Sequence, residues 1–201
     1  SASAWIEQMG QQGDWGRRFV LDRPMLARVR GRGFRQAVDI GCGEGRFCRM
    51  LQAEGIPTIG IDPTAALIDA ARRRDPTGDY RVASAEDLPL VDSSCDLAVF
   101  YLSLIDIADL RAALHEASRV LQPGGSLLIA NLQSFNTASI DQGWHRAWNG
   151  ALHFRIDDYL QERVTRVSWK GIRIANYHRP LQAYMAELLG LGFQLQHFSE
   201  P

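Results

Sequence analysis

Two kinds of stretch alternate along the chain. Short, continuously apolar runs close on glycine, aspartate or serine. Between them lie longer stretches whose apolar positions recur every three or four residues. The first run, 35–40, closes on Gly41, and Phe47, Met50 and Leu51 then share one side of a helix over 46–54 that stops at Gly55. Residues 57–61 form a second buried strand. Thr64 is placed to cap a helix through Arg73, with Ala66, Leu67 and Ala70 on its apolar side. A third strand covers 79–83, and the fourth, 96–102, is the most continuous apolar run. A helix over 108–121 ends at Gln122-Pro-Gly-Gly125, and 126–130 is the fifth strand.

Strands that are apolar on both faces and alternate with helices belong to a parallel sheet covered on both sides. The predicted fold is therefore α/β: a three-layer, Rossmann-like, doubly wound and mostly parallel sheet, with a lid and β-hairpin insertion after strand 5. Its expected strand order is 3-2-1-4-5 with one further strand. Such sheets bind ligands at the carboxyl ends of their strands. The loops after Ile40, Ile61, Ala83, Leu102 and Ala130 should then carry the chemistry.

The alternation stops after the fifth strand. Residues 131–162 read as an irregular segment rich in Trp and His. Residues 163–169 and 172–178 read as a hairpin turning at Lys170-Gly171, followed by a helix over 181–191 and a strand over 193–198. This layout predicts a single domain over 1–201: a helical cap over 1–34, a cofactor-binding core over 35–131, a substrate lid and hairpin over 132–180, and a last helix and strand over 181–201. A sheet that stops after one late strand is expected to be truncated. The alternatives are that the hairpin takes the vacant place or that the bare edge pairs with another chain.

Composition narrows the function classes. The chain has 201 residues, 46% hydrophobic and 22% charged, with 22 Lys+Arg against 23 Asp+Glu and a net charge of -1. That balance argues against a nucleic-acid partner, which usually brings a basic excess. Arg28, Arg30, Arg32 and Arg35 read as a solvated surface. No apolar run reaches the ~18–20 residues of a membrane span. No basic stretch is followed by an apolar one at the start, so neither a signal peptide nor a membrane partner is expected. Ser1 in place of Met suggests a processed or trimmed start. Cys42, Cys48 and Cys95 are too few and too scattered for a disulfide framework or a metal site, which fits a cytoplasmic protein. A monomer or homodimer acting on a small molecule is the expectation.

The chemistry begins at Val38-Asp-Ile-Gly-Cys-Gly-Glu-Gly45, which closes the first strand and opens a helix. Glycines are needed where backbone turns sharply and a ligand lies against it, and a helix start offers free N–H donors. A dinucleotide fingerprint reads G-x-G-x-x-G. Here the third glycine, Gly45, comes one residue early, and Asp39 stands two before the first, a spacing that suits S-adenosylmethionine (SAM) better than NAD. No Gly-Lys-Ser/Thr follows, so the loop is not a P-loop. Asp62, nineteen residues after Gly43, ends the second strand, where a carboxylate can accept from both hydroxyls of a ribose.

Five segments in order and spacing, 38–45, Gly60-Ile-Asp62, 83–90, Cys95-Asp-Leu-Ala-Val99 and Arg119-Val-Leu-Gln-Pro-Gly-Gly125, resemble the motifs of class I SAM-dependent methyltransferases, in particular the small-molecule branch. The resemblance covers roughly 36–131. Gly13-Asp-Trp-Gly-Arg17 and Tyr177-His-Arg-Pro180 resemble flanking motifs of a bacterial subgroup. It implies that SAM is the cofactor and S-adenosylhomocysteine (SAH) the product. It implies that Asp39, Gly41, Cys42 and Gly43 pass the methionine part, that Asp62 and Pro63 hold the ribose, and that Ser84, Ala85 and Glu86 line the adenine. Many relatives carry Asp where this chain has Ser84. Tyr101, Leu102 and Ser103 would face the sulfonium, and Arg17 would pair with the cofactor carboxylate.

A methyl on a positive sulfur is already a strong electrophile, so the protein must mainly align a nucleophile and exclude water. A base helps only if the nucleophile is a hydroxyl or a protonated amine. Asp106, His145, His153 and His178 are the candidates, with Asp106 alternatively the cap of the next helix and each His alternatively structural. Trp144, Trp148 and Phe154 would form an aromatic lid over a flat, aromatic or heteroaromatic acceptor. His145, His153, Tyr177 and His178 would line it, and Asn131 and Gln133 would orient its polar groups. Competing functions are a non-catalytic SAM-binding module, an NAD-dependent oxidoreductase, and an RNA or protein methyltransferase.

Overall fold

The computed structural model describes residues 2–10 and 12–200. Ser1, remarked on above, and Pro201, the end of the 181–201 segment, lie outside the described residues. Helix α1 (Ala2–Met9) precedes a π-helical turn (Arg17–Leu21) that runs into α2 (Asp22–Val29). Then β1 (Ala37–Ile40), α3 (Arg46–Ala53), β2 (Thr58–Asp62), α4 (Ala65–Arg74), β3 (Asp79–Val82), β4 (Cys95–Tyr101), α5 (Leu110–Val120) and β5 (Leu121–Ala130) alternate. A 3-10 turn (Leu104–Asp106) links β4 to α5. The five strands form one parallel sheet in the order β3-β2-β1-β4-β5, as expected. The order reverses between β1 and β4, and there the carboxyl ends diverge to leave a crevice.

Period-two alternation sorts side chains between the layers. On β4, Ala98 and Phe100 join Ile40, Ile61, Leu104 and Leu114 under α5. Leu97, Val99 and Tyr101 point the other way, onto Met25, Val29, Phe47 and Leu51 of α2 and α3. Fully burying each large apolar side chain contributes roughly 1.5–3 kcal/mol, so β1 and β4, at whose ends the site stands, are anchored in both core layers.

Beyond β5 come a short helix α6 (Ser134–Thr137), a hairpin of β6 (Ser139–Arg146) and β7 (Leu152–Ile156), a second hairpin of β8 (Arg163–Trp169) and β9 (Ile172–His178), and α7 (Leu181–Gly190). Three expectations are corrected. The supposedly irregular segment contains the β6–β7 hairpin. Its four-residue turn closes through Ala147 N–H to Ala151 O and Gly150 N–H to Ala147 O, and Gly143 interrupts its register. The strand expected at 193–198 is not formed. Phe193 N–H turns back to Leu188 O, and Leu195 and Phe198 lie exposed beside no partner strand among the described residues. Helix α5 starts at Leu110 rather than 108. Asp109, not Asp106, caps it by accepting from Ala112 N–H at 2.9 Å.

Candidate cofactor and acceptor site

The glycine loop is stapled to β2. Gly41 and Cys42 N–H both donate to Ile61 O, at 2.7 and 2.9 Å. Asp62 accepts from Gly43 N–H through one oxygen at 3.0 Å and from Thr64 N–H through the other at 2.8 Å. Each glycine has its own reason. A Cβ on Gly41 would fall 2.4 Å from Ser103 Cβ, and Ser103 Oγ itself donates to Ile40 O at 2.6 Å. At Gly45 φ is +76°, and a Cβ would strike Tyr80 Cε1 at 2.5 Å, so this residue lets α3 close onto the sheet. At Gly43 the space ahead is open, the nearest atom being Trp5 Nε1 at 3.6 Å. That open face is where a ligand can lie against backbone. Beneath the loop Asp39 is only 2% exposed; Cys48 Sγ donates to one oxygen at 3.4 Å, and the other has no partner among the described residues. Burial pushes its carboxyl up to about 7.

Around the loop stand the other strand ends. Asp62 is 7% exposed, and burial raises its carboxyl while the Thr64 and Gly43 amides oppose the shift. After β3, Ser84 Oγ bonds Glu86, whose other oxygen accepts from Asp109 N–H at 3.3 Å, and Ala85 is buried behind them. Pro63 is exposed at the rim. Tyr101 O–H donates to Asp22 at 2.7 Å, and Arg46 grips the same carboxylate. Burial and Asp22 together push the Tyr101 phenol far up, so it stays neutral. The Arg17 guanidinium sits 5.4 Å from the Trp5 ring centre and 5.9 Å from that of Tyr101, paired with Asp14. Leu102 holds a left-handed φ of +57° at the end of β4, a strained conformation of the kind that gathers at ligand sites.

Asp106, at the end of the 3-10 turn, opens into a cavity of about 1890 Å³. Desolvation by the surrounding protein pushes its carboxyl up to about 7, against the Asn176 amide, which donates to it at 2.7 Å, and against Arg17. The cavity runs along the outer edge of β5 and reaches the strand ends at Trp5, Arg17, Leu102 and Ile105; the glycine loop itself is not in its wall. The hairpin closes it with one face of alternating residues, Val167, Trp169, Ile174 and Asn176. Asn131, whose side-chain oxygen is buried without a protein partner among the described residues, and Gln133 also line it.

An open glycine face, a carboxylate ending the neighbouring strand and a polar Ser84–Glu86 wall backed by buried Ala85 fit a nucleoside joined to a small charged tail. The methyltransferase domain family matches residues 38–129. Over those residues the chain carries a methyltransferase domain with the class I SAM-dependent fold. A malonyl-(acyl-carrier protein) O-methyltransferase of Yersinia pestis is 33% identical over 123 residues, 61% of this chain and 45% of that protein. A crystal structure of a SAM-dependent methyltransferase from Mesorhizobium loti is 28% identical, covers 87% of this chain and 81% of that one, and superposes with a TM-score of 0.77. A second, from Listeria monocytogenes, shares the fold over 100% of this chain and 89% of that one, at 23% identity and a TM-score of 0.76. The chain spans about half the length of the curated relatives it matches. SAM is the cofactor of this domain.

Several residues expected at the site lie elsewhere. Both ring nitrogens of His178 are engaged, Nδ1 with Thr137 Oγ1 and Nε2 with Tyr159 O, each at 2.8 Å. It is 1% exposed, and burial lowers its pKa, so it has no free nitrogen with which to take a proton. Tyr177 faces away from the cavity and stacks under Arg179. Trp144, His145, Trp148 and His153 belong to the β6–β7 hairpin and none lines the cavity; Trp148 is 99% exposed. A lid from these residues therefore has no support in the geometry: Trp144 spends its ring edge-on against Phe154 instead. Sequence reasoning missed Trp5, Trp169, Ile174 and Asn176. The last three share one face of the hairpin in the structure, and nothing in the sequence said which face looks inward.

Proposed function

We propose that this chain transfers a methyl group from SAM to an O, N or C nucleophile of a small, flat metabolite. The acceptor lies between Trp5 and Ile105 on one side and the Val167, Trp169 and Ile174 face of the hairpin on the other. The observation that carries this reading is Asp106: a carboxylate at the end of the 3-10 turn after β4 that opens into the cavity beside Ile105, Trp169 and Ile174, with desolvation pushing its carboxyl up to about 7. When bound, SAM supplies the electrophilic methyl. The chain's own residues do the rest. Asp62 and the open face of Gly43 hold the nucleoside and its tail, and Arg17 offers the tail's carboxylate a two-pronged donor. Trp5 and Trp169 keep water from the reacting atoms. Asp106 takes the proton from a hydroxyl or protonated amine as the new bond forms, a contribution of ~10²–10⁴-fold. Transfer to oxygen is the chemistry named for the Yersinia pestis relative.

A methyl-transfer screen over fractionated metabolites, detecting SAH and the methylated product, tests this. With the acceptor in hand, kcat/KM should rise with pH up to about 7 and then level, and Asp106→Asn should erase that limb. SAH binding with no turnover on any fraction would make the chain a binding module instead.

A further inference from the structure

The run Tyr177-His-Arg-Pro180 plays no part in the reaction proposed above, yet His178 and Arg179 together make five side-chain hydrogen bonds. The Arg179 side chain is 4% exposed. Its guanidinium donates to three backbone carbonyls: Leu104 O at 3.1 Å, and Ile107 O and Ala108 O at 2.7 Å each. Those three carbonyls bracket Asp106. The planar fork lies 5.1 Å from the Tyr177 ring centre, and among the described residues Glu162, itself mostly exposed, is its ion-pair partner at 3.9 Å. An isolated buried cation is costly, so nearly all the compensation for Arg179 must come from the backbone of the loop it holds. Next to it His178 pins β9 from the opposite side, to Thr137 and Tyr159. Two residues earlier, Asn176 reaches Asp106 directly. Pro180 then stands at the N-cap of α7. Strand β9 is thus fastened to the loop after β4 by one side chain that touches the carboxylate and one that fixes the backbone on both sides of it.

We infer that Asn176 and Arg179 are positioning residues for Asp106, the first orienting its carboxylate and the second fixing the loop that carries it. This inference rests on the reading of Asp106 as the base. Groups facing Asp106 come from three elements: Arg17 from the π-helical turn and Asn176 from β9 favour the charged form, while Asp62 from β2 opposes it together with burial. Arg179 acts through geometry. A lysine in its place has no planar fork with which to hold three carbonyls in a fixed arrangement.

The test reads the carboxylate itself, so it needs no acceptor. Protein labelled with ¹³C at the aspartate carboxyl carbon is titrated by NMR, the Asp106 signal being identified by its loss in Asp106→Asn. The wild-type midpoint should lie near 7. Asn176→Ala removes a hydrogen bond to the charged form and should raise the midpoint by about half a unit or more. Arg179→Lys frees the loop to admit water and should move the midpoint down, toward the ordinary carboxylate range. SAH affinity by calorimetry should stay within about threefold of wild type in both, because the cofactor contacts lie elsewhere. Unchanged midpoints in folded variants would overturn the inference; should Arg179→Lys not fold, Asn176→Ala decides alone. Failure of the wild-type protein to bind SAH would instead strike the cofactor reading and leave the titration result standing.

Discussion

Removing the Asp62 carboxylate should weaken cofactor binding far more than it weakens the fold. In the free protein each oxygen already accepts one backbone N–H, from Gly43 at 3.0 Å and from Thr64 at 2.8 Å. Hydrogen bonds to a charged group are worth ~1.5–3 kcal/mol each, but water replaces much of that when the donors are not buried. Gly43 is half-buried and Thr64 exposed, so Asp62→Ala should cost the fold about 1–3 kcal/mol. For a chain of this size that lowers Tm by roughly 2–4 °C per kcal/mol. Each oxygen keeps a free lone pair, which allows two further bonds to ribose hydroxyls. Losing both, together with the tether on Gly43, should reduce SAH affinity at least ~10-fold, equivalent to ~1.4 kcal/mol or more. Titration calorimetry and thermal melting on the same preparations measure the two effects separately. A folded Asp62→Ala protein with lowered Tm but SAH affinity within threefold of wild type would show that Asp62 merely staples the loop, and the ribose assignment would fall.

The Asp39 carboxyl, near 7 in the fold against an ordinary 3.8, should make stability pH-dependent. Because the folded pKa is the raised one, its contribution is full below ~4 and is lost as pH rises through about 7. The advantage of Asp39→Asn over wild type in urea denaturation should therefore grow across that interval, by up to about 4 kcal/mol, and stay flat above it. Trp169→Ala should raise KM for the acceptor about tenfold or more with SAH affinity unchanged, while Trp148→Ala should alter neither; equal effects would put the acceptor on the wrong hairpin. His178→Ala, losing two buried hydrogen bonds and packing, should destabilise by about 2–4 kcal/mol in denaturant titration yet leave the pH dependence of turnover with its limb near 7 intact. Loss of that limb would return His178 to the chemistry.

The sheet was legible because each of its signals is local. Gly41-Cys-Gly43 and Asp62 sit at strand ends that the apolar runs mark, and α3 and α7 begin at the expected residues, Arg46 and Leu181. Hairpin β6–β7 was missed although Leu152-His-Phe-Arg-Ile156 alternates apolar and polar, because its partner strand is interrupted at Gly143 and β7 stays exposed on nearly every residue instead of covering a core. The 193–198 segment fails for the opposite reason: Phe193, Leu195 and Phe198 carry apolar spacing suited to a strand, but a strand also needs an edge to pair with. The roles of the histidines and of Asn176 depend on partners remote in sequence. Thr137 lies 41 residues from His178, and Asp106 lies 70 from Asn176. No reading of one segment at a time finds such pairs.

On one face of the hairpin Val167, Trp169, Ile174 and Asn176 line the cavity, while Val164, Arg166, Ser168 and Arg173 on the other face solvent. The shape of the acceptor wall is therefore written in three codons, those for Val167, Trp169 and Ile174, none of which contributes to the sheet or the glycine loop. A small library varying only these positions would resample acceptor preference without disturbing the rest of the fold. Natural divergence had the same route open to it, changing what is methylated while the cofactor half of the molecule stayed as it was.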